Sequence, residues 1–309
     1  MTGIIYKSTG SWYSVKNIKG IEFQCRIKGK LRLDKVQSTN PIAVGDVVGF
    51  DLENGPDSRT GIITEIFERK NYILRKSVNL SKQTQILAAN IDILFLVITL
   101  KNPITTTNFI DRFLIASNAY SIDTILLFNK MDSYNKDEIA QLDKLINLYE
   151  NIGYKCIKVS AIKSLNIKEI ISLIKNKTIM FGGHSGTGKS SIINCIKPEL
   201  KLKTRDISSL HLQGKHTTAH AELFDIDFGA RVIDTPGIKG FGIINFRKNE
   251  IGDFFPEFFQ NKNKCKFNNC LHIDEPNCFI KELVSMNKID ISRYENYKQI
   301  IMEGDLKYR

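Results

Sequence analysis

The order of apolar and polar residues divides the chain into three parts. In the first part, residues 21–27 alternate between apolar and polar, which is typical of a half-buried strand, and further strands are predicted at 44–50 and 61–67. Several short strands within ~70 residues predict a small closed barrel, and we favour an OB-fold. Another small β domain with a basic, solvated face is the alternative.

From about residue 90 the pattern changes to buried strands that alternate with helices. Strands are predicted at 91–98, 124–128, 156–159 and 178–181, and then near 221–227 and 230–233. Helices are predicted at 107–120, 136–151, 167–175 and 189–197. This alternation predicts a doubly wound α/β sheet. After about residue 240 the pattern becomes irregular and then helical, so we expect domains at 1–75, 76–240 and 241–309.

The composition of the chain excludes several classes of protein. Its 309 residues are 42% hydrophobic and 25% charged, as in ordinary globular proteins, and not as in collagens, disordered chains or disulfide-rich miniproteins. The longest apolar stretch, 91–100, is too short to span a membrane and contains Asp92. The first residues lack the basic and then apolar pattern of a signal peptide. We therefore expect a cytoplasmic protein that has no membrane partner.

The net charge of the chain gives only partial information about which molecules it binds. The formal net charge is +11, which favours polyanionic partners and RNA above all. Lysine outnumbers arginine, and asparagine and isoleucine are abundant, so biased codon usage is an equally good explanation of the charge.

The strongest local motif is the sequence GHSGTGKS at 183–190, which fits the template of a phosphate-binding loop between a strand and a helix. Its glycines let consecutive N–H groups point at one centre, and the following helix adds its positive end. We expect Lys189 to reach the β- and γ-phosphates and the Ser190 hydroxyl to hold Mg²⁺. His184 is expected to contribute its backbone more than its side chain. The predicted phosphate site comprises Gly182, Gly183, His184, Ser185, Gly186, Thr187, Gly188, Lys189 and Ser190.

A second motif favours guanine over adenine. The tetrapeptide Asn129, Lys130, Met131 and Asp132 follows a buried strand, and its carboxylate can accept both the N1–H and the 2-amino group of guanine. Adenine offers neither donor, so the carboxylate would be left unpaired. Ser160 and Ala161, at the end of the next strand, are expected to form a third base-contacting loop. By itself the tetrapeptide could be a strand-ending turn.

Two further segments are expected to complete the nucleotide site. Asp234 follows a predicted strand and would hold Mg²⁺ through water, while the N–H of Gly237 would sense the γ-phosphate. Upstream, Thr217 is expected to complete the Mg²⁺ shell, with Thr218 as the near alternative. The base motif precedes the phosphate loop, which is the reverse of the order in small GTPases. The sequence therefore predicts a circularly permuted GTPase, which close chain termini permit.

A cluster of potential metal ligands lies near the C-terminus. Cys265, Cys270, His272 and Cys278 offer three thiolates and one imidazole, a closed tetrahedral set for a structural zinc ion. In a cytosolic chain, clustered cysteines favour zinc over a disulfide. Their spacing is not the commonest for zinc fingers, so unligated surface residues are the alternative.

These motifs together resemble one family, the circularly permuted ribosome small subunit-dependent GTPase A (RsgA) family. The resemblance covers nearly the whole chain through AANID at 88–92, NKMD at 129–132, GGHSGTGKS at 182–190, GKHTT at 214–218, DTPG at 234–237 and CKFNNCLHIDEPNC at 265–278. It implies an OB-fold, a permuted GTPase domain and a zinc domain. It also implies a monomer that acts in late maturation of the small ribosomal subunit. Its GTPase activity would be stimulated by that subunit, and its outer domains would contact rRNA.

The sequence departs from the family pattern at two positions, and the resemblance does not identify the group that positions the attacking water. Lys215 stands where arginine is commoner, and Asn277 where glycine is frequent. Ile238, after the DTPG motif, cannot orient a water as glutamine does in Ras-like enzymes. We therefore predict that another group, or the ribosome, positions the water. His216, beside Thr217, is the predicted catalytic residue within the chain, and a surface switch-loop histidine without a catalytic role is the alternative. A regulatory guanine-nucleotide-binding protein that acts without the ribosome is the second functional hypothesis. An RNA-binding module without working nucleotide chemistry is disfavoured by the intact motifs.

Overall fold

The structure of the protein is a computed structural model that describes residues 1–27, 41–53, 55, 58–76, 84–200, 221–234 and 246–302. Strands β1–β13 span Thr2–Ser8, Tyr13–Asn17, Glu22–Ile27, Val47–Leu52, Thr60–Ile66, Tyr72–Lys76, Thr84–Ala89, Ile93–Ile98, Thr124–Phe128, Lys155–Lys158, Thr178–Gly182, Glu222–Asp225 and Arg231–Asp234. Helices α1–α8 span Thr107–Ala119, Lys136–Ile152, Ile167–Ile174, Lys189–Ile196, Lys248–Ile251, Pro256–Phe259, Phe279–Ser285 and Ile291–Met302.

The chain divides into two compact units. The first unit comprises residues 1–94, 167–182 and 189–240, and the second comprises 95–166, 183–188 and 241–309. The strands of the first unit include the N-terminal barrel, and the second unit includes the C-terminal helices. Each unit is described by itself.

The N-terminal strands form the predicted closed barrel. They are ordered β1-β2-β3-β5-β4, and β4 pairs again with β1 to close the barrel. β3 and β5 are parallel, while the other neighbours are antiparallel. Alternate residues face inward, and their side chains make the buried core of Ile5, Tyr13, Val15, Phe23, Cys25, Ile42, Val48, Phe50 and Ile63. This topology confirms the prediction of a small barrel.

The first unit extends beyond the barrel through strand β1. Lys7 of β1 pairs antiparallel with Glu222 of β12. β12 pairs antiparallel with β13, and β13 lies parallel to β11. The strand that closes the barrel therefore also borders the strands of the α/β region.

A buried ion pair fixes the segment that leaves the barrel. Arg69 donates to both carboxylate oxygens of the fully buried Asp46, at 2.6 and 2.7 Å, and to the carbonyl oxygen of Pro41 at 2.7 Å. The Asn71 side chain donates to the carbonyl oxygen of Ile91 and accepts from the N–H of Ile91, each at 2.8 Å. The side chains of Arg69 and Asn71 therefore fix the backbone that follows β5.

In the second unit, buried strands alternate with helices as predicted. β9 is buried at every position, and it lies parallel to β10. α1 begins after Thr106, whose hydroxyl caps the N–H of Phe109, and α2 begins with a capping box formed by Asn135 and Glu138. Because these helix signals are local, the sequence predicted both helices to within one residue at each end.

The C-terminal helices of the second unit pack around a cluster of aromatic residues. Phe255 and Phe258 are fully buried, and Tyr297 lies edge-on to both. Ile115 of α1 belongs to the same cluster, so α1 contributes to the core of the C-terminal region. Among the described residues, no helix combines the length and apolar character that crossing a membrane requires.

Candidate nucleotide site and metal centre

The predicted base-reading loop follows directly on β9. The N–H of Asn129 donates to the carbonyl oxygen of Ile98 at 2.9 Å, and the N–H of Met131 donates to that of Val159 at 3.2 Å. Tyr134 turns back and donates its hydroxyl to the carbonyl oxygen of Asn129 at 2.9 Å. The loop is therefore held at both ends by backbone groups of neighbouring strands.

The Asn129 side chain joins three predicted loops of the second unit. It is only 2% exposed, and its Nδ2 donates to the carbonyl oxygen of Thr187 in the phosphate loop at 2.8 Å. Its Oδ1 accepts from the N–H of Ala161 at 3.3 Å. A buried amide with both ends satisfied fixes the spacing between these loops.

The predicted guanine-reading carboxylate is exposed and is held by a neighbouring hydroxyl. Ser160 donates its hydroxyl to Asp132, and the Ser160 oxygen accepts from the N–H of Lys163 at 3.1 Å. Asp132 therefore keeps acceptor sites for a ligand while its orientation is fixed. Lys130 adopts a left-handed backbone, with φ of 68°, and its ammonium group donates to the carbonyl oxygen of Asn102.

Two glycines of the phosphate loop occupy places where a side chain would collide. Gly183 has φ of +128°, and a Cβ there would lie 2.5 Å from the carbonyl oxygen of Val97. Gly188 has φ of +100°, and a Cβ there would lie 2.2 Å from Nδ2 of Asn129. Because both the backbone angle and the space exclude other residues, glycine is required at these positions.

The remaining residues of the loop differ in exposure. Ser185 and Gly186 are exposed, whereas Thr187 is buried and donates its hydroxyl to the carbonyl oxygen of His184 at 2.9 Å. The His184 ring lies against the ring of Phe109 of α1, with centroids 3.9 Å apart and planes tilted by 32°. The sequence predicted a backbone role for His184 and missed this side-chain contact.

Gly182, Lys189, Ser190 and Asp234 belong to the first unit. Gly182 ends β11, Lys189 begins α4, and Ser190 is buried in its first turn. Asp234 ends β13, directly after Ile233, which pairs with Met180 of β11. Asp234 is therefore at the carboxyl end of a strand next to the one that leads into the phosphate loop.

The environment of Asp234 suits a nearby cation. The residue is 4% exposed, and burial, with a smaller contribution from Glu222, raises the pKa of Asp234 to about 7. A divalent cation would compensate the buried charge and favour the ionised carboxylate. A carboxylate and a serine hydroxyl are also the oxygen donors that Mg²⁺ prefers. The residues present therefore fit the predicted ion.

Several predicted site residues lie outside the described residues. They are His216 and Thr217, predicted to be catalytic and to bind Mg²⁺, together with Thr218, Lys215, Gly237 and Ile238. Their roles stay predictions.

The four predicted metal ligands converge in the C-terminal region. Their ligand atoms all lie within 4.8 Å of one another. Nδ1 of His272 is 3.3 Å from the sulfur of Cys278 and 3.6 Å from that of Cys265, and these two sulfurs are 4.0 Å apart. Tetrahedral zinc has sulfur–sulfur separations of about 3.8 Å and sulfur–nitrogen separations of about 3.5 Å. The cluster therefore has the dimensions of a four-ligand metal site.

The surroundings hold the ligand loop in place. The Glu275 carboxylate accepts from the N–H of Leu271 at 2.6 Å and from that of Ile273 at 3.0 Å, on either side of His272. Burial would raise the pKa of Glu275, but these backbone hydrogen bonds hold it below its ordinary value. Burial lowers the pKa of His272, which favours the neutral imidazole that binds metals.

Two tyrosines and one asparagine complete the loop. Tyr294 donates to the carbonyl oxygen of His272, and Tyr297 to that of Leu271, each at 2.7 Å. Asn277 adopts a left-handed backbone with φ of 56°. Asparagine tolerates this conformation better than most residues, so it can replace glycine here without breaking the turn. The sequence did not predict the tyrosines, because they lie 22 and 26 positions from the carbonyl groups that they bind.

The chain matches two family descriptions. Residues 66–244 match the RsgA GTPase family, and residues 2–63 match the RsgA N-terminal domain. Proteins named "Small ribosomal subunit biogenesis GTPase RsgA" are similar along the whole chain. The one from Flavobacterium psychrophilum is 55% identical over 309 residues, which is 100% of this chain and 95% of the relative. The one from Bacteroides thetaiotaomicron, RsgA 2, is 48% identical over 310 residues and 99% of its own length.

Two solved structures are similar to this one. YjeQ from Thermotoga maritima has a TM-score of 0.79 and 34% identity, over 98% of this chain and 97% of that one. YloQ, described as a circularly permuted GTPase, has a TM-score of 0.74 and 30% identity, over 100% of this chain and 96% of that one. The permuted order of motifs is thus shared with a solved GTPase.

Proposed function

The chain belongs to the RsgA GTPase family, and on that premise we propose that it hydrolyses GTP as an assembly factor of the small ribosomal subunit. The observation that carries this proposal is the position of Asn129, whose side chain contacts both the phosphate loop and the loop of Ser160 and Ala161. A guanine-reading loop and a phosphate loop joined in this way act as one binding unit.

Each nucleotide contact has a proposed role. Asp132 accepts the N1–H and 2-amino group of guanine, the N–H of Ala161 donates to its O6, and the Lys130 stem lies over the base. The backbone N–H groups of 183–188 bind the phosphates, and Lys189 contacts the β- and γ-phosphates. The same residues bind GDP after hydrolysis.

Ser190, Asp234 and Thr217 are the residues that would hold Mg²⁺. When bound with GTP, the ion neutralises charge that develops on the phosphates. His216 is proposed to position the attacking water, and Gly237 to sense the γ-phosphate. The switch loop after Asp234 leads directly into the C-terminal region, so that loss of the γ-phosphate would act on that region.

Zinc is the proposed metal of the Cys265, Cys270, His272 and Cys278 cluster. The ligand separations and the three soft sulfur donors support this choice over calcium or magnesium, which prefer oxygen ligands. Since four protein ligands leave no position for water, the role of the zinc is structural.

RNA is the proposed partner of the outer parts of the chain. The net charge of +11 and the family relationship support contacts from the barrel, 1–75, and from the zinc domain, 241–309, to the rRNA of the small subunit. The GTPase domain, 76–240, would then act between two RNA-bound domains. We propose a monomer that works in the cytoplasm.

The test is GTP turnover with and without purified small ribosomal subunits. We expect weak turnover by the protein alone and a strong increase when subunits are added. Purified large subunits are the control, since they carry rRNA but not the proposed target. Equal turnover under all three conditions would contradict the proposal and favour a regulatory guanine-nucleotide-binding protein that acts without the ribosome.

A further inference from the structure

One stripe of α1 is attached to the C-terminal region along its length. Asn108, Asp111, Ile115 and Asn118 are spaced by three or four residues and therefore lie on one face of the helix. Asn108 donates to Gln299 Oε1 at 2.8 Å, and Asn118 donates to the carbonyl oxygen of Phe254 at 2.8 Å. Ile115 packs into the C-terminal aromatic cluster.

Asp111 is the centre of this attachment. It is fully buried, and its Oδ1 accepts from Nη1 of Arg293 at 2.5 Å and from the hydroxyl of Tyr149 at 2.8 Å. Its Oδ2 accepts from Nδ2 of Asn296 at 2.6 Å. Arg293 and Asn296 both lie on α8, so one carboxylate of α1 holds two side chains of the C-terminal helix.

Arg293 also binds a second carboxylate, which belongs to α6. It is 1% exposed, and its Nε and Nη2 donate to the two carboxylate oxygens of Glu257 on α6, at 2.8 and 3.1 Å. Its guanidinium also lies 4.6 Å from the ring centre of Phe255. A buried arginine with two carboxylates fixes one relative position of α1, α6 and α8, because any shift leaves a charge unpaired in the interior.

The other side of α1 touches the phosphate loop. Phe109 lies two residues before Asp111, and its ring contacts that of His184, with centroids 3.9 Å apart. A helix is stiff over two residues, so a displacement of the C-terminal region at Asp111 also moves Phe109. Helix α1 therefore contacts the predicted phosphate site through Phe109 and is attached along its length to the metal-binding region.

We propose that α1 couples the C-terminal metal-binding region to nucleotide affinity, with Asp111 and Phe109 as positioning residues. This inference rests on the proposed nucleotide site and adds a second connection beside the switch loop. The position of α8 sets the position of α1, and Phe109 transmits it to His184 and the phosphate loop. By linkage, bound nucleotide and the position of the C-terminal region influence each other by the same factor.

The test compares two matched substitutions at the same arginine. Asp111→Asn replaces one carboxylate oxygen, an acceptor for Arg293, with an amide donor on α1. Glu257→Gln makes the same replacement on α6, within the C-terminal region. We expect Asp111→Asn to change the dissociation rate of a fluorescent GDP analogue by at least about fivefold. Glu257→Gln removes the other counter-charge of Arg293 without removing a contact of α1, and should change this rate by less than about twofold. Equal changes in both variants would mean general destabilisation and would overturn the proposal.

A double-mutant cycle tests the route through Phe109. In a Phe109→Leu background, Asp111→Asn should no longer alter GDP dissociation, because the contact that carries the effect is already removed. An undiminished effect in that background would overturn the role of Phe109. If the unmodified protein failed to bind guanine nucleotides at all, the proposed function would fail instead, so the two failures are distinct.

The exposed hydrogen bond between Asn108 and Gln299 allows the same coupling to be tested without altering a buried charge. Gln299→Ala removes the hydrogen bond to Asn108 and should change GDP dissociation by at least about twofold, the lower end of what an ordinary hydrogen bond contributes. Glu295→Ala, at an exposed position of the same helix, is the control and should leave the rate unchanged. Identical rates in Gln299→Ala and the unmodified protein would contradict the coupling.

Discussion

Nδ2 of Asn129 lies 2.8 Å from the carbonyl oxygen of Thr187, so one buried amide joins the predicted base-reading loop to the phosphate loop. The two residues are 58 positions apart in the sequence. In this permuted chain the base-reading residue comes first and the phosphate loop follows, yet the contact joins them within one compact unit. On the proposed function, recognition of the base and binding of the phosphates would be linked through this side chain.

Removal of the Asn129 amide should weaken binding of both GDP and GTP. Asn129→Ala loses the bonds to Thr187 and Ala161 and leaves buried backbone groups unsatisfied, at about 1–3 kcal/mol each. We expect a decrease in affinity of roughly 30-fold or more, measured by calorimetry. Asn151→Ala, at an exposed position of α2, is the control. Unchanged GDP affinity in Asn129→Ala would show that the contact does not support binding.

Asp132 should determine the choice of base. Asp132→Asn exchanges an acceptor for a donor that complements the O2 of xanthine, so affinity should shift from guanine towards xanthine nucleotides. Competition between GDP and XDP measures the shift, and Asp137→Asn, which is exposed on α2, serves as the control. Retained preference for GDP in Asp132→Asn would count against the assigned role of this carboxylate.

Gly188 should be intolerant of any side chain for two separate reasons. Gly188→Ala places a Cβ at φ of +100° and 2.2 Å from Nδ2 of Asn129, so nucleotide binding should be lost. Gly153 has a similar φ of +109° with nothing within 4 Å of its Cβ position. Gly153→Ala should therefore cost only about 1 kcal/mol of unfolding free energy and leave binding intact. Full GDP binding by Gly188→Ala would contradict the geometry.

The Cys/His cluster should bind one zinc ion, which is released as the pH falls. Burial raises the pKa of Cys270 to about 12, so protons compete with the metal for this sulfur. Metal binding requires the thiolate, and zinc affinity should therefore decrease steadily towards lower pH. Elemental analysis after dialysis at several pH values measures this. Cys265→Ser should lose the metal and Cys156→Ser should keep it; equal zinc contents in the two variants would refute the site.

The buried pair of Asp46 and Arg69 should stabilise the connection to the barrel. Asp46→Asn leaves Arg69 without its counter-charge and should lower the free energy of unfolding by about 3 kcal/mol. Glu53→Gln breaks a more exposed pair with Arg26 and should cost at most about 1 kcal/mol. Chemical denaturation measures both values. A similar loss in the two variants would show that burial does not set the strength of the pair.

Local features of the fold were predictable from the sequence. The strand at 124–128 is buried at every position and was predicted with its observed ends, and the helix at 107–119 was predicted one residue too long. The pairing of Lys7 with Glu222 was not predicted, because each strand pattern is compatible with many partners. Hydrogen-bonding partners of this kind depend on tertiary packing, which leaves no signal in either strand alone.

The local motifs of the candidate site could also be predicted from the sequence, whereas its contacts between distant residues could not. Asn129, Asp132 and the phosphate-loop glycines belong to motifs whose chemistry is local, so their contribution was visible in the sequence. Asp111 and Arg293 are 182 residues apart, and each reads as an ordinary charged residue within a helix. Their pairing became visible only when the fold brought α1 and α8 together.

The most direct test is calorimetric comparison of GDP and ADP binding to the purified 309-residue chain in the presence of Mg²⁺. Because Asp132 is proposed to pair with groups that adenine lacks, GDP should bind at least about 100-fold more tightly than ADP. Equal affinities for the two nucleotides, or no binding of either, would contradict the assignment of a guanine-nucleotide site to this chain.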